Sequence, residues 1–376
     1  MTNGTVQLHE VNSRNDLKKF IRFRYDLYRG NKYWCPPLFI DEMRTLRKDK
    51  NPAFEYCEAR YWLALRDGEI VGRIAAILNR AANEKWGMRN LRFGWFDLID
   101  DEDVARRLLG AVEDWARKLD LKAVQGPLGF TDLDFEGMLV EGFEELSTFA
   151  TLYNYAYYPR LLESMGYRKD VDWLEYEITT PTEVPESVAR ISRFVLSRQK
   201  LTLLTPKSAR EMKTYARGVF QVLNEAFAGL YGTVPLTERQ VKTYTDQYFS
   251  FINPDYTKLI LDAENKVAAF AVAIPSVTRA AQKSAGRLFP LGWLHLLGAL
   301  RRHDTLDLYL IAVRPDLQKL GLNSILMAEI TRCGIENGVR KGESNPELEN
   351  NEQVQAMWKH YDVRQHKRRR AYLKNV

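Results

Sequence analysis

The sequence predicts an α/β fold of the α+β type, with two similar lobes that each hold a mixed, mostly antiparallel sheet flanked by helices. Two observations predict it. Strand-like and amphipathic helical patterns alternate along the chain, and the alternation restarts after a threonine- and proline-rich stretch at 179–185. With 376 residues, the chain is also long enough for two lobes that each bury a core.

The first lobe is expected within residues 1–180. A strand near Val6 precedes a helix that Ser13 caps and that runs to Tyr28. Asp67 and Gly68 separate two strand patterns and predict a tight hairpin. The later elements of this lobe are predicted as strands near 93–99, 123–126 and 171–178 and helices near 104–119 and 157–164.

Residues 181–199 are expected to link the lobes and to hold the first elements of the second lobe, which is expected at 200–376 with an apolar insert at 279–304. Helices are predicted to start near Ser208 and Thr237, and a hairpin is predicted around Asn265. The remaining elements are predicted as strands near 201–204, 306–313 and 339, a helix near 353–360 and a terminal strand.

The most informative stretch begins with the strand pattern at 306–313 and continues through a loop into a helix that Gly338 ends. The loop carries Gln318-x-x-Gly321-x-Asn323. Gly321 lies at the mouth of the helix, where backbone N–H groups lack partners and the helix dipole is positive. Such a helix start binds anions, pyrophosphate in particular. A plain strand-to-helix turn with Gly321 at a tight bend is the alternative.

At these residues the sequence resembles the GNAT N-acetyltransferase superfamily, whose signature is Arg/Gln-x-x-Gly-x-Gly/Ala after the fourth strand. Gln318 and Gly321 match the signature, and Asn323 stands where Gly or Ala is usual. The resemblance covers nearly the whole chain as two tandem GNAT-like lobes. It implies that acetyl-coenzyme A or a longer acyl-coenzyme A binds, as a substrate, at Ile311, Ala312, Val313, Gln318, Lys319, Leu320, Gly321, Leu322, Asn323 and Ser324.

In the first lobe, the matching loop is Leu98–Asp103, which holds four acidic residues and no glycine. Carboxylates at a helix N-terminus satisfy its dipole and repel a pyrophosphate. We therefore expect this lobe to have lost coenzyme A binding and to serve as scaffold or substrate wall.

Acyl transfer to an amine needs a base for the amine and an acid for the departing thiolate. The GNAT resemblance implies a tyrosine acid in the helix after strand five, but Trp358 occupies that position. Tyr361, three residues later and on nearly the same helical face, is predicted to replace it, and a packed surface tyrosine is the alternative.

Asp307 lies on the strand before the loop and is a candidate base, together with Glu343. Glu343 and Asn350 are also predicted to contact the substrate, because they flank the point where strand five gives way to a loop. Capping or solvated roles are the alternative for each of these residues.

The net charge of +6 at pH 7 would suit a polyanion, and the densest basic run is 366–370. A solvated edge strand is ranked first for this run, a nucleotide-phosphate contact second and nucleic-acid binding third.

The three cysteines, Cys35, Cys57 and Cys333, show no metal-ligand spacing, so no metal site is expected. No apolar run reaches the ~20 residues of a membrane span, and the N-terminus lacks a signal peptide, so a cytoplasmic location is expected.

Residues 288–300 are almost wholly apolar. Burial is the first interpretation of this run, and a surface for a long acyl chain or a partner is the alternative.

Taken together, these patterns support two functions. The first is acyl-coenzyme A-dependent N-acyl transfer to a small amine or amino acid, and the second is a non-catalytic GNAT fold that binds coenzyme A, a nucleotide or a protein partner.

Overall fold

The computed structural model describes residues 4–184, 186–249 and 252–376. Its strands are β1 Gln7–Glu10, β2 Cys57–Arg66, β3 Glu69–Asn79, β4 Asn90–Leu98, β5 Ala123–Gly126, β6 Met138–Glu141, β7 Arg168–Thr179, β8 Thr202–Leu204, β9 Thr257–Leu261, β10 Val267–Pro275, β11 Thr305–Val313, β12 Lys341–Ser344, β13 Glu347–Leu348 and β14 Val363–Asn375. Its helices are α1 Arg14–Leu27, α2 Phe39–Thr45, α3 Arg80–Trp86, α4 Glu102–Lys118, α5 Tyr157–Ser164, α6 Glu186–Arg198, α7 Ala209–Ala226, α8 Glu238–Tyr248, α9 Thr278–Ser284, α10 Gly292–Arg301, α11 Leu322–Glu336 and α12 Glu352–Gln355.

Within the described residues, the chain forms two compact units. The first unit holds residues up to 174 together with 278–295 and 366–376, and the second holds 175–277 and 296–365. The units are therefore discontinuous in sequence, whereas the predicted lobes 1–180 and 200–376 are single stretches. Residues 372–375 of β14 belong to the first unit because they pair with β5.

The sheet of the first unit has the strand order β1-β2-β3-β4-β5-β14. Its pairs are antiparallel except for β4 and β5, which are parallel. Helix α4 follows β4 and packs Leu108 and Val112 into a core with Ile74 and Phe93. This arrangement is the predicted mixed, mostly antiparallel sheet flanked by helices.

The second unit repeats this pattern. Its strands lie in the order β12-β11-β10-β9-β8, and within this order β11 and β12 are parallel while the other pairs are antiparallel. Helix α11 follows β11, as α4 follows β4, and buries Leu322, Ile325 and Leu326 in the core of this unit. Each unit thus places a helix N-terminus after the first strand of its parallel pair.

Local sequence signals explain several boundaries. The hydroxyls of Ser13 and Ser208 accept the N–H groups of Asp16 and Glu211 at 3.1 and 3.2 Å, so both predicted helix caps are confirmed. Thr237 forms a capping box at the start of α8. The predicted Asp67–Gly68 hairpin is also confirmed, because β2 pairs with β3 around it.

The basic run 366–370 is not a solvated edge strand, and that prediction is wrong. Arg369 is fully buried, and residues 368–370 pair with β6. The carboxylate of Asp172 accepts hydrogen bonds from Arg368 at 3.3 Å and from Arg370 at 2.8 and 3.0 Å. Much of this basic charge is thus paired within the first unit.

The expected burial of the apolar run 288–300 is also wrong. Several of its large side chains are exposed, among them Phe289, Leu291, Trp293, Leu294 and Leu297. No helix in the described part of the chain is long and apolar enough to cross a membrane.

Candidate functional site

Strands β11 and β12 run side by side and then separate. Their parallel pairing extends from Thr305 to Leu308 on β11, and Leu308 is opposite Ser344. Beyond this pair, the N–H of Asn345 donates to the carbonyl of Leu308 at 3.2 Å, and its side-chain amide donates to the carbonyl of Tyr309 at 2.8 Å. After Tyr309, the β12 side of β11 has no strand partner among the described residues, so an edge of the strand is open there.

A β-bulge lies where the strands separate. The register with β10 skips Tyr309, so that Leu308 and Leu310 face consecutive residues of β10. An extra residue reverses the face that the following side chains take. Ile311 and Val313 accordingly pack into the same core as Leu308. The bulge keeps apolar side chains facing α11 while it turns the backbone of β11 at the open edge.

The loop after β11 forms a 3₁₀ helix, Pro315–Leu320, which Gly321 ends with φ +74°. Gly321 is also the residue before α11, and α11 has no side-chain cap at its N-terminus. A left-handed backbone favours glycine, and the absence of a side chain leaves space over the first turn. The structure therefore places an uncapped helix N-terminus next to the open edge of β11.

The residues predicted to bind the cofactor differ in exposure around this loop. The Gln318 amide donates to the Val313 carbonyl at 3.3 Å, which fixes the loop to the end of β11. Lys319 is exposed, Asn323 is half-buried, and Leu322 is fully buried in the core. Leu322 can therefore offer a ligand only its backbone. The other predicted contacts are buried Ala312 and Val313 and half-buried Ile311, Leu320, Gly321 and Ser324.

The matching place in the first unit is filled by the protein itself. The Asp101 carboxylate caps α4 by accepting the N–H groups of Asp103 and Val104 at 2.9 and 3.1 Å. Arg66 pairs with the same carboxylate at 2.7 Å and holds its pKa below the usual value. At the end of β4, the Tyr157 hydroxyl donates to the Leu98 carbonyl at 2.6 Å.

Tyr158 also binds the end of β4. Its hydroxyl accepts the N–H of Leu98 at 3.0 Å and hydrogen-bonds the hydroxyl of Tyr28 at 2.9 Å. Both the helix N-terminus and the strand end that the second unit leaves open are thus occupied in the first unit by side chains of the chain.

The predicted base candidates are brought together. Asp307 on β11 is opposite Glu343 on β12, and Glu343 is opposite Glu177 on β7, so three carboxylates form a row across adjacent strands. Lys341 neutralises part of this row by donating to Glu177 at 2.6 Å and to Glu343 at 3.3 Å. These bonds outweigh the effect of burial and raise the pKa of Lys341, while Lys341 lowers the pKa of Glu177. Asp307 and Glu343 are both buried.

Tyr361 is not on a helical face, contrary to the sequence prediction. The 3₁₀ helix Ala356–His360 ends just before it, and Tyr361 has an extended backbone, with φ −125° and ψ 153°. Its hydroxyl accepts a hydrogen bond from Thr331 at 3.4 Å, which leaves its own proton available. Burial raises the pKa of Tyr361, so the hydroxyl stays protonated at neutral pH. Asn350, the second predicted substrate contact, is exposed.

Glu347 is a candidate that the sequence prediction did not select. It lies on β13, and the indole N–H of Trp358 is 3.1 Å from each of its carboxylate oxygens. Burial raises its pKa to about 8, although the Trp358 hydrogen bond acts in the opposite direction. At neutral pH this carboxyl therefore carries a proton. Trp358, at the position of the expected tyrosine, is the hydrogen-bond partner of the Glu347 carboxyl group. The sequence alone does not reveal this contact, because it depends on how β13 packs in the folded chain.

No known family model matches the chain. The chain is 30% identical to protein YghO of Escherichia coli strain K12 over 373 residues, which cover 97% of the chain and 94% of that protein. The chain belongs to the YghO family. This YghO-family protein is also 27% identical to a bacterial ceramide synthase of Caulobacter vibrioides over 303 residues, 80% of the chain and 78% of that protein.

Solved structures confirm the predicted tandem GNAT fold. A tandem GNAT protein from the clavulanic acid biosynthesis pathway matches with a TM-score of 0.57 at 13% identity, and the match covers 98% of each chain. A GCN5-related N-acetyltransferase from Sphaerobacter thermophilus matches with a TM-score of 0.50 at 14% identity, over 100% of this chain and 97% of that chain. Because these identities are low, the structural matches show that the YghO-family protein has the GNAT fold and nothing more.

Proposed function

We propose that the YghO-family protein transfers an acyl group from acetyl-coenzyme A or a longer acyl-coenzyme A to an amine. One contrast between its units carries the proposal. Helix α11 begins at Gly321 without a side-chain cap, whereas α4 begins with the cap of Asp101 in place. An uncapped helix start attracts phosphate groups through its N–H groups and its dipole. The second unit therefore suits a pyrophosphate, and the first does not.

The proposed cofactor contacts follow the chain along β11 and into α11. The backbone N–H groups of Leu320, Gly321, Leu322 and Asn323 would hold the pyrophosphate. The open edge of β11 from Ile311 to Val313 would hydrogen-bond the amides of the pantetheine arm. Lys319 and Ser324 flank the phosphate position, and Gln318 fixes the loop through the Val313 carbonyl.

The proposed reaction forms one bond and breaks another. The amine nitrogen attacks the thioester carbonyl carbon, the C–N bond forms, and the C–S bond breaks. The amine loses a proton, and the departing sulfur gains one. Asp307 or Glu343 is the proposed base, and Glu343 and Asn350 are the proposed substrate contacts. Tyr361, whose hydroxyl proton is not used by Thr331, is the proposed acid.

Glu347 is a further candidate for proton transfer. A group moves protons most effectively when its pKa lies near the operating pH, and the pKa of Glu347 is about 8. Perturbed carboxyl groups of this kind concentrate at functional sites. Its partner, Trp358, fixes the carboxyl group in place.

The acceptor is proposed to be a small amine or amino acid. A second candidate comes from the relative named a bacterial ceramide synthase. A ceramide is the amide of a long-chain amino alcohol and a fatty acid, so its formation is an N-acylation. This relative favours a long-chain amino alcohol as acceptor and a long-chain acyl-coenzyme A as donor. Because acyl-coenzyme A is made inside the cell, we propose that the reaction takes place in the cytoplasm.

A thiol-release assay tests the proposal. The protein would be given acetyl- and palmitoyl-coenzyme A with a panel of small amines, amino acids and long-chain amino alcohols, and the amide products would be identified by mass spectrometry. The proposal predicts thiol release that depends on one acceptor class, with a matching amide. If coenzyme A binds but no pair yields an amide, the non-catalytic alternative, which Trp358 and Asn323 favour, is correct.

A further inference from the structure

Helix α10 and the turn before it expose large apolar side chains. The exposed fractions are 78% for Phe289, 61% for Leu291, 44% for Trp293, 47% for Leu294 and 42% for Leu297. Single exposed apolar residues are common on proteins, but a run of them within one short segment marks an interaction site. We name residues 287–302 the α10 segment.

The exposed large apolar side chains of α10 share one face. At 100° per residue, Trp293, Leu297 and Leu294 span an arc of roughly 100°. Arg301 lies within the same arc, one turn beyond Leu297. The face therefore carries apolar side chains and ends in a basic one. An interfacial helix has such a face, with Trp and Leu below and Lys or Arg at the polar boundary.

The base of the α10 segment is fixed to the first unit. The side-chain amide of Gln282, on α9, donates to the carbonyls of Lys32 and Trp34 at 3.0 and 2.9 Å. The N–H of Phe39 donates to the carbonyl of Gly286 at 3.1 Å. The Trp293 indole N–H donates to the Pro290 carbonyl at 3.1 Å, which ties α10 to its preceding turn. The apolar side chains are thus presented from a fixed base.

The α10 segment and the sequence on either side of it carry charge of a single sign. From Val267 to His303 the sequence contains no Asp or Glu. The first carboxylate after this stretch, Asp304, is paired with Arg340. The same stretch contains five basic residues, all of them exposed: Arg279, Lys283, Arg287, Arg301 and Arg302. An anionic surface is therefore the complementary partner.

We propose that the α10 segment binds the surface of an anionic lipid bilayer. Phe289, Leu291, Trp293, Leu294 and Leu297 would enter the boundary between headgroups and acyl chains, and Arg287, Arg301 and Arg302 would contact lipid phosphates. The segment is too short to span a bilayer, so it lies on the surface. This surface does not depend on the proposed acyl transfer, but it gives a transferase access to amines and acyl chains held in a membrane.

Vesicle sedimentation with the full-length protein tests this proposal without coenzyme A or an acceptor. The vesicles would contain phosphatidylcholine alone or phosphatidylcholine with phosphatidylglycerol. The first variant combines Trp293→Ser, Leu294→Ser and Leu297→Ser, and the second combines Arg301→Gln and Arg302→Gln. Leu8→Ser is the matched control, because Leu8 is 38% exposed and lies on β1, outside the segment. Thermal melting would confirm that each variant is folded.

The wild-type protein and Leu8→Ser should bind the anionic vesicles at least tenfold more tightly than the neutral ones. The triple serine variant should lose at least tenfold in affinity, and the glutamine variant should lose the preference for anionic vesicles. Equal vesicle binding by the wild type and the serine variant would overturn the proposal. So would a dimer in analytical ultracentrifugation that the serine substitutions abolish, because a second copy would then cover the segment.

Discussion

Tyr361 carries the most specific residue-scale prediction. If its hydroxyl protonates the departing thiolate, Tyr361→Phe lowers kcat roughly 100-fold while the affinity for coenzyme A is nearly unchanged. Stopped-flow thiol release with the best acceptor would measure kcat, and calorimetry would measure the affinity. Thr331→Val is the matched control, because it removes only the hydrogen bond to the Tyr361 hydroxyl. Full turnover in Tyr361→Phe would mean that this tyrosine is structural.

Glu347 makes a prediction about stability and pH. Its folded-state pKa of about 8 lies above the usual value of 4.5. Between these values the native state binds more protons than the unfolded state, so the free energy of unfolding falls as the pH rises. The slope approaches about 1.4 kcal/mol per pH unit for one proton. Urea denaturation between pH 5 and 8 should show this loss in the wild type and a smaller one in Glu347→Gln.

The control for this measurement is Glu352→Gln, since Glu352 is exposed at the start of α12. This variant should keep the wild-type pH dependence. A Glu347→Gln variant whose stability falls with pH as steeply as that of the wild type would show that Glu347 does not hold a proton in the folded state.

At the scale of elements, α4 and α11 follow equivalent strands but start differently. Removing the carboxylate cap in Asp101→Ala should lower the free energy of unfolding by about 1–2 kcal/mol, because two N–H groups lose their acceptor. Urea denaturation would measure this loss. The variant should still not bind coenzyme A in the first unit, because the hydroxyls of Tyr157 and Tyr158 continue to hydrogen-bond the carbonyl and the N–H of Leu98.

A second coenzyme A bound per Asp101→Ala chain would contradict this account. It would show that the Asp101 cap alone closes the first unit. Calorimetric stoichiometry of the variant and the wild type, measured side by side, distinguishes the two cases.

The sequence predicted elements well where the signal was local. Ser13, Ser208 and Thr237 cap their helices through contacts three residues away, and Asp67–Gly68 turns a hairpin with φ values of +50° and +82°. Helix α6 at Glu186–Arg198 was not predicted, because the prolines and threonines that precede it are typical of a linker. The bulge at Tyr309 was missed because it depends on the register between β10 and β11.

The candidate site was predictable only in part, because some of its features are local in the sequence and others depend on contacts between distant residues. Gly321 could be identified because one glycine at a helix start is visible in the sequence. The row of Asp307, Glu343 and Glu177 joins strands that are far apart in the chain. The raised pKa of Glu347 comes from burial, which only the packed structure provides.

At the scale of the whole molecule, two units share the GNAT fold, but the helix after the first strand of the parallel pair is capped by a side chain in the first unit and uncapped in the second. This division predicts one coenzyme A per chain. Gly321→Asp brings a carboxylate to the N-terminus of α11, as Asp101 does for α4, and should weaken binding by at least ~2 kcal/mol, roughly 30-fold. Gly321→Asn has a similar shape without the charge, tolerates a positive φ, and should lose less.

Calorimetric titration of coenzyme A into the wild type, Gly321→Asp and Gly229→Asp tests the central claim most directly. Gly229 is exposed, and a Cβ there meets nothing within 4 Å, so this variant adds the same charge elsewhere in the second unit. We expect one site per chain in the wild type and Gly229→Asp, and at least 30-fold weaker binding in a folded Gly321→Asp. Unchanged affinity in Gly321→Asp, or two sites in the wild type, would contradict it.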